Sequence, residues 1–249
     1  MQLRLSSDGF SFELAEQWHD YTGGRIDLEP LPKSDGSLVD RVRAYLNGVE
    51  RESGDFVTVV VPELIEKPSM ASVLLHPELI RLKAGLLRER RIVVTDVPVV
   101  LEKGVPVGVD ALPLVPQRTV ALVFVSGVND ATVRAVNYAR SLNAQETRAV
   151  YFALDPRDSG RIAEEWVERG VGIPLEISEA PFRDLAGPMR DEVRRLTARP
   201  DTLVAAVIPE LIPRKWRHYL LHRQTALFVK RLFLFEERVV LSSVPYLLE

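Results

Sequence analysis

Between Glu210 and Glu236 the chain carries Arg214, Lys215, Arg217, His218, His222, Arg223, Lys230 and Arg231 with no acid among them, interleaved with Trp216 and Tyr219. Cations beside aromatic rings can grip phosphate oxygens and stack a base against a ring face. The same composition also makes a solvated helix face, or a docking surface for a partner or for anionic lipid headgroups. Both readings stay open on sequence. His218 and His222 are four apart, a spacing that puts two imidazoles on one helix face, but no third acid or His stands near enough to complete a metal site. Ser126 is followed by Gly127 without the GxSxG turn that presents a nucleophile, and no motif places a His or Asp to activate it. The chain has no Cys, which excludes disulfides, thiolate metal sites and a cysteine nucleophile. With no acid, base and nucleophile converging, the expectation is a non-enzymatic protein that needs no cofactor.

The elements that position these residues are duplicated. Pro62, Glu63, Leu64 and Ile65 recur as Pro209, Glu210, Leu211 and Ile212, an offset of 209 minus 62, or 147, that holds without a gap to the last residue. Lys83, Leu87, Glu89 and Arg91 meet Lys230, Leu234, Glu236 and Arg238, and Val97 and Pro98 meet Val244 and Pro245. Upstream, Trp18 and Ile26 correspond to Trp166 and Ile173 with one residue of slippage. The basic aromatic residues from Arg214 to Arg223 belong to the second copy alone. Glu63 and Glu210 stand at matched strand ends, where each can cap the N–H groups of a following turn or touch a ligand.

The repeat divides the chain into residues 1–102, a linker at 103–117 rich in Pro and Gly, and residues 118–249. Arg118–Val125, Arg148–Leu154, Ile173–Ile177 and Thr202–Ile208 are apolar runs that read as buried strands. Helices follow at Ala131–Leu142, around Ile162 and Trp166, and at Phe182–Leu196, with a turn at Asp155–Gly160 and a loop at each PELI. The first copy repeats this pattern, with a helix at Ser37–Glu50 and a strand at Phe56–Val61, but has no counterpart of Arg118 to Asn143. Alternating strands and helices imply an α/β fold, here two doubly wound open parallel sheets joined by right-handed crossovers. Ligands of such sheets sit outside the strand carboxyl ends at the point where strand order reverses, which selects Ser126, Gly127, Asp155, Glu210, Arg214, Lys215, Trp216 and His222 as the ligand-binding set. The tails Val97–Leu101 and Val244–Leu248 begin with Val-Pro and run apolar. Paired with one another they would make an internal pseudo-dimer, and left open they would drive self-association.

Composition narrows the partners. Of 249 residues, 46% are apolar and 27% charged, enough for a sizeable core, and the net charge of -3 gives no bulk support to nucleic-acid binding. The longest apolar runs, such as Val120–Val125, are too short to span a bilayer, and Met1 is followed by no signal-like segment. The chain reads as soluble and cytoplasmic.

The segments VFVSG, VNYARSL, VYFALDP, AEEW, GIPLEI, VIPEL, LLHRQTALFVKRLFLF and VPYLL resemble the cytoplasmic C-terminal domain of APC-superfamily permeases, which is similar to the universal stress protein fold of the adenine nucleotide alpha hydrolase-like class. The resemblance covers Arg118–Glu249, and residues 1–102 look like a diverged copy. It implies a cytoplasmic regulatory or assembly module whose partner is a membrane transporter for amino acids or a cation, in the same or a neighbouring polypeptide. Some relatives respond to adenine nucleotides, including a cyclic dinucleotide. A free-standing nucleotide-binding stress protein is the other reading. In the wider stress protein family an Asp after the first strand and a glycine loop after the fourth hold ATP. This chain has Ser126 and Gly127 at the first place and no glycine from Pro209 to Lys230, so backbone N–H groups lack the close approach that glycine gives a phosphate.

Overall fold

The structure is a computed structural model that describes residues 2–5, 15–16, 18–20, 23–24, 26–31, 36–65, 77–102, 105–106, 116–180, 185–213, 224–233 and 236–248. The chain divides into two compact units, Met1–Gly54 and Asp55–Glu249. In the first, β1 (Gln2–Leu5) pairs in parallel with β2 (Asp27–Pro30), and the Trp18 indole N–H donates to the Ile26 carbonyl at 2.9 Å. Its helix α1 (Leu38–Asn47) starts on a reciprocal capping box between Ser37 and Asp40, which satisfies two of the orphan N–H groups at a helix start.

The second unit runs β3 (Val57–Ile65), α2 (Pro77–Leu86), β4 (Ile92–Glu102), β5 (Val105–Pro106), β6 (Arg118–Val125), α3 (Asp130–Ser141), β7 (Glu146–Ala153), α4 (Pro156–Glu168), β8 (Leu175–Glu179), α5 (Ala186–Thr197), β9 (Thr202–Ile212), α6 (Gln224–Phe233) and β10 (Val239–Leu247). Seven strands form one sheet in the order β3-β4-β10-β9-β6-β7-β8, and β5 adds to the end of β4. Every neighbouring pair on this path is parallel except β4 with β10. The β-branched, continuously apolar character of β6 follows from its central place, with helices over both faces. One face carries Phe124, Val193, Val229 and Phe233 with α5 and α6, and the other carries Val123, Ala135, Tyr138, Ile162 and Trp166 with α3 and α4. The strand order reverses between β6 and β9, as a doubly wound sheet requires.

The two PELI-containing segments have the same local build. β3 pairs with β4 from Val57↔Ile92 onward, and β9 pairs with β10 from Val204↔Val239 onward, so both partners are displaced by 147. The bounds of α2 and α6 differ by the same number at each end. β4 and β10 then cross antiparallel through Val94↔Ser243, Thr95↔Ser242 and Asp96↔Leu241, a ladder centred on Thr95 and Ser242, themselves 147 apart. Continuing that register outward would set Pro98 against Val239 and Pro245 against Ile92. Proline has no N–H to give a ladder, so the Val-Pro pairs limit the crossing to three residues and turn each strand back to its parallel neighbour.

Several local expectations need correction. The PELI segments are not loops: β3 and β9 continue through them to Ile65 and Ile212. The apolar tails do not pair with each other. Val97–Val100 pairs with Pro62–Ile65, Val244–Leu247 pairs with Pro209–Ile212, and the cross-pairing falls on the residues just before them. Asp155–Gly160 is not a turn but the start of α4, with Asp155 as N-cap and Pro156 in the first turn, where a missing N–H costs nothing. Sequence spacing predicts that Ile162, Trp166 and Val167 pack this helix; Ile162 and Trp166 are buried, but Val167 faces solvent at 79% exposure.

A buried charge network as candidate functional site

On the α2 and α6 side of the crossing, five charged side chains meet. Lys83 sits in α2 among the buried Leu82, Leu86 and Leu87, so its stem packs on apolar surface and its ammonium extends over the sheet. There it forms ion pairs with Glu63 of β3 and, at 2.8 Å, with Asp96 of β4. Lys230 of α6 occupies the matching place and lies 3.9 Å from Glu210 of β9, as the repeat demands, and 3.5 Å from the other carboxylate oxygen of Asp96. Asp96 thus stands between two ammoniums. It is 5% exposed, Glu210 4% and Lys83 8%.

Among the described residues, three acidic side chains and two lysines meet where Asp96, Glu210 and Lys83 have little exposure to water. Isolated charges there would be costly, and mutual pairing offsets the desolvation. A cavity of about 20 Å³ beside Glu63, Asp96 and Lys230 has room for one water, not for a substrate. In the described residues these carboxylates tie β3, β4 and β9 to α2 and α6. The opposite face of the crossing carries a neutral chain: the Thr95 and Ser242 hydroxyls are 2.8 Å apart, and the Tyr138 hydroxyl of α3 lies 3.4 Å from Ser242 and 3.2 Å from Thr58 of β3. Arg134 of the same helix donates from Nε to the Pro245 carbonyl at 2.9 Å, and its guanidinium lies 5.2 Å from the centre of the Phe56 ring. Burial, and then the nearby Arg91 and Arg90, push its pKa down.

The ligand-binding set selected from sequence is distributed as follows. Ser126 is exposed at the carboxyl end of β6, and the Gly127 carbonyl accepts from Thr132 Oγ1 at 2.7 Å, which closes that loop onto the start of α3. Asp155 accepts from the Arg157 backbone and side chain, and these bonds hold its carboxyl below the usual carboxylate range. Glu210 is buried within β9, facing Lys230. Arg214, Lys215, Trp216 and His222, with His218, lie outside the described residues. Sequence reasoning missed Asp96, because the repeat has Ser243 in its place; it gave no role to Lys83 and counted Lys230 among the phosphate-gripping cations, whereas the structure turns Lys230 to Glu210 and Asp96. The usable signal was a lysine repeated at matched positions among apolar residues of a short helix, beside a repeated glutamate. Asp96 had no such signal.

An open, mostly parallel α/β sheet with a buried ionic tie at an antiparallel crossing defines a doubly wound α/β domain. The chain belongs to the family of KimA potassium transporter C-terminal domains, whose model it matches over residues 8–99 and 117–246. It is also 26% identical over 141 residues to the potassium transporter KimA of Bacillus subtilis (strain 168), a stretch that is 55% of this chain and 23% of that protein. The chain therefore spans less than a quarter of that relative's length. Among the described residues no helix is long and apolar enough to cross a membrane.

Proposed function

We propose that this chain is a non-enzymatic regulatory or assembly module of a potassium permease, acting in the same or a neighbouring polypeptide. The observation that carries the reading is the match to a transporter C-terminal domain over most of the chain. Of the two cargo classes implied by the resemblance, the cation is favoured, because the family matched is a potassium transporter's C-terminal domain and the named relative is a potassium transporter. In this reading residues 1–102 and 118–249 are universal stress protein-like copies, the first diverged, joined as an internal pseudo-dimer through their PELI-containing segments. The identical 147-residue displacement of their strand registers, and a crossing centred on Thr95 and Ser242, support that arrangement.

The direct test is rubidium uptake in a bacterial strain lacking its own potassium importers, expressing the permease with and without this chain. A change in uptake rate or in its regulation is the expected result. Identical uptake in both conditions would sink the proposal. Sensing of an adenine nucleotide or cyclic dinucleotide is a further part of the reading, supported by the reversal of strand order beside Ser126 and Gly127. At a hundred times its dissociation constant a ligand adds about 2.7 kcal/mol, a thermal shift of roughly 5–10 °C for a chain of this size. No shift with ATP, AMP or cyclic dinucleotides at millimolar concentration removes the sensing role and leaves the assembly role standing.

A further inference from the structure

The charge network is almost symmetric, and the departure from symmetry carries information. Glu63 and Glu210 are matched by the 147-residue offset, and so are Lys83 and Lys230. Asp96 is not: its counterpart is Ser243, which is 0% exposed and whose hydroxyl has no hydrogen-bond partner among the described residues. The crossing ladder is centred on Thr95 and Ser242, so Asp96 and Ser243 are the two equivalent positions just past its centre, on the face covered by α2 and α6. A carboxylate at either position would face both lysines. One carboxylate serves two ammoniums at 2.8 and 3.5 Å, and the other position is left neutral.

We propose that Asp96 is a shared counter-ion that couples the two strand–helix–strand segments, so that each lysine compensates in part for the loss of the other. Were each lysine satisfied by its own glutamate alone, the described links between the segments would be three ladder pairs, the neutral Thr95–Ser242–Tyr138 chain on the opposite face and apolar contacts. With Asp96 between them, loss of Lys83 leaves the aspartate wholly to Lys230, and loss of Lys230 leaves it to Lys83. Either single loss is partly relieved, and the double loss is not. The occupied position matters less than the number of carboxyl groups, because a second one at position 243 would add an acid where acids already outnumber lysines three to two among the described residues. This inference concerns the chain alone and stands whether or not the permease reading holds.

Thermal unfolding of the full chain tests it with Lys83→Met, Lys230→Met and the double variant, each in the natural background and with Asp96→Ser. In the natural background the double variant should lose more than the sum of the single losses. With Asp96→Ser the single losses should add to within about 1–2 °C, the margin for independent sites. Removing the partner of a buried charge lowers the midpoint on the order of 10 °C, so the difference is readable. Ser243→Asp provides the second arm. Combined with Asp96→Ser it should recover at least half of the midpoint lost by Asp96→Ser alone, whereas in the natural background it should lower the midpoint. Additive lysine variants in the natural background, or no recovery by Ser243→Asp, would overturn the shared counter-ion. If Asp96→Ser does not fold, Asp96→Asn, which keeps the side-chain shape, takes its place in both arms.

Discussion

Tyr138→Phe removes one oxygen from the middle of the second unit and leaves the ring where it was. Tyr138 is among the largest fully buried side chains, and its ring makes an edge-on contact with Phe56 at 5.4 Å that phenylalanine would keep. What is lost are two long hydrogen bonds, 3.2 Å to Thr58 and 3.4 Å to Ser242. A buried hydrogen bond is worth about 1 kcal/mol net, and leaving its partner bare costs about 1–3 kcal/mol. Here both partners have recourse: Thr58 is exposed and turns to water, and Ser242 keeps Thr95 at 2.8 Å. The expected loss is therefore about 1 kcal/mol, a fall in midpoint of roughly 2–4 °C. Tyr138→Ala also removes the ring from a closed core and should cost about 4 kcal/mol. Urea unfolding followed by far-ultraviolet circular dichroism, with an unchanged denaturant slope, measures both. A loss from Tyr138→Phe as large as that from Tyr138→Ala would refute the reasoning, since it would mean that the hydroxyl chain, not the packing, holds α3 on the crossing.

Trp166→Phe removes the indole N–H that donates to the Ile173 carbonyl at 3.0 Å, and should cost about 1–2 kcal/mol by the same unfolding measurement. Asn129→Ala removes the side-chain cap on the Thr132 N–H at the start of α3 and should cost about 1 kcal/mol, with Asn129→Asp nearly neutral. Pro245→Val restores an N–H beside the crossing, and hydrogen exchange should show the new amide of residue 245 protected if the ladder lengthens and exchanging freely if it does not. Asp155 has its pKa depressed in the folded chain by its bonds to Arg157, so it contributes stability above its unfolded pKa that is lost as pH falls through the folded one. The slope of stability against pH in the acid range should therefore flatten in Asp155→Asn, and a carboxyl-carbon titration should place Asp155 below an unperturbed aspartate.

How much of this was legible in the sequence depends on which signal each residue left. The central strand β6 coincides with the run Arg118–Val125, because a strand buried on both faces is apolar without interruption and needs no partner to be recognised. The strand ends were misjudged for a specific reason. Pro62, Pro98, Pro209 and Pro245 look like stops, since a proline cannot join a ladder on both sides, yet β3, β4, β9 and β10 run through them. β3 ends the sheet, and β4 and β10 part from each other within three residues, so at Pro62, Pro98 and Pro245 one side needs no donor. Asp155–Gly160 has the composition of a turn, and only the Asp-Pro order distinguishes a capped helix start from one. The candidate site was half legible: Glu63, Glu210, Lys83 and Lys230 announce themselves by repetition, whereas Asp96 acts through the one place where the repetition fails.

The single antiparallel pair in the sheet sets the direction of everything beside it. β9, β6, β7 and β8 run the same way as β10, while β3 runs with β4, so the strand carboxyl ends of the two groups open on opposite rims of the sheet. Ser126 and Leu154 end their strands on one rim, and the Pro62–Ile65 end of β3 is on the other. A molecule arriving at the β6–β9 reversal and one arriving at the end of β3 would approach from opposite directions, with Asp96 and its two lysines near the midpoint of the path between them.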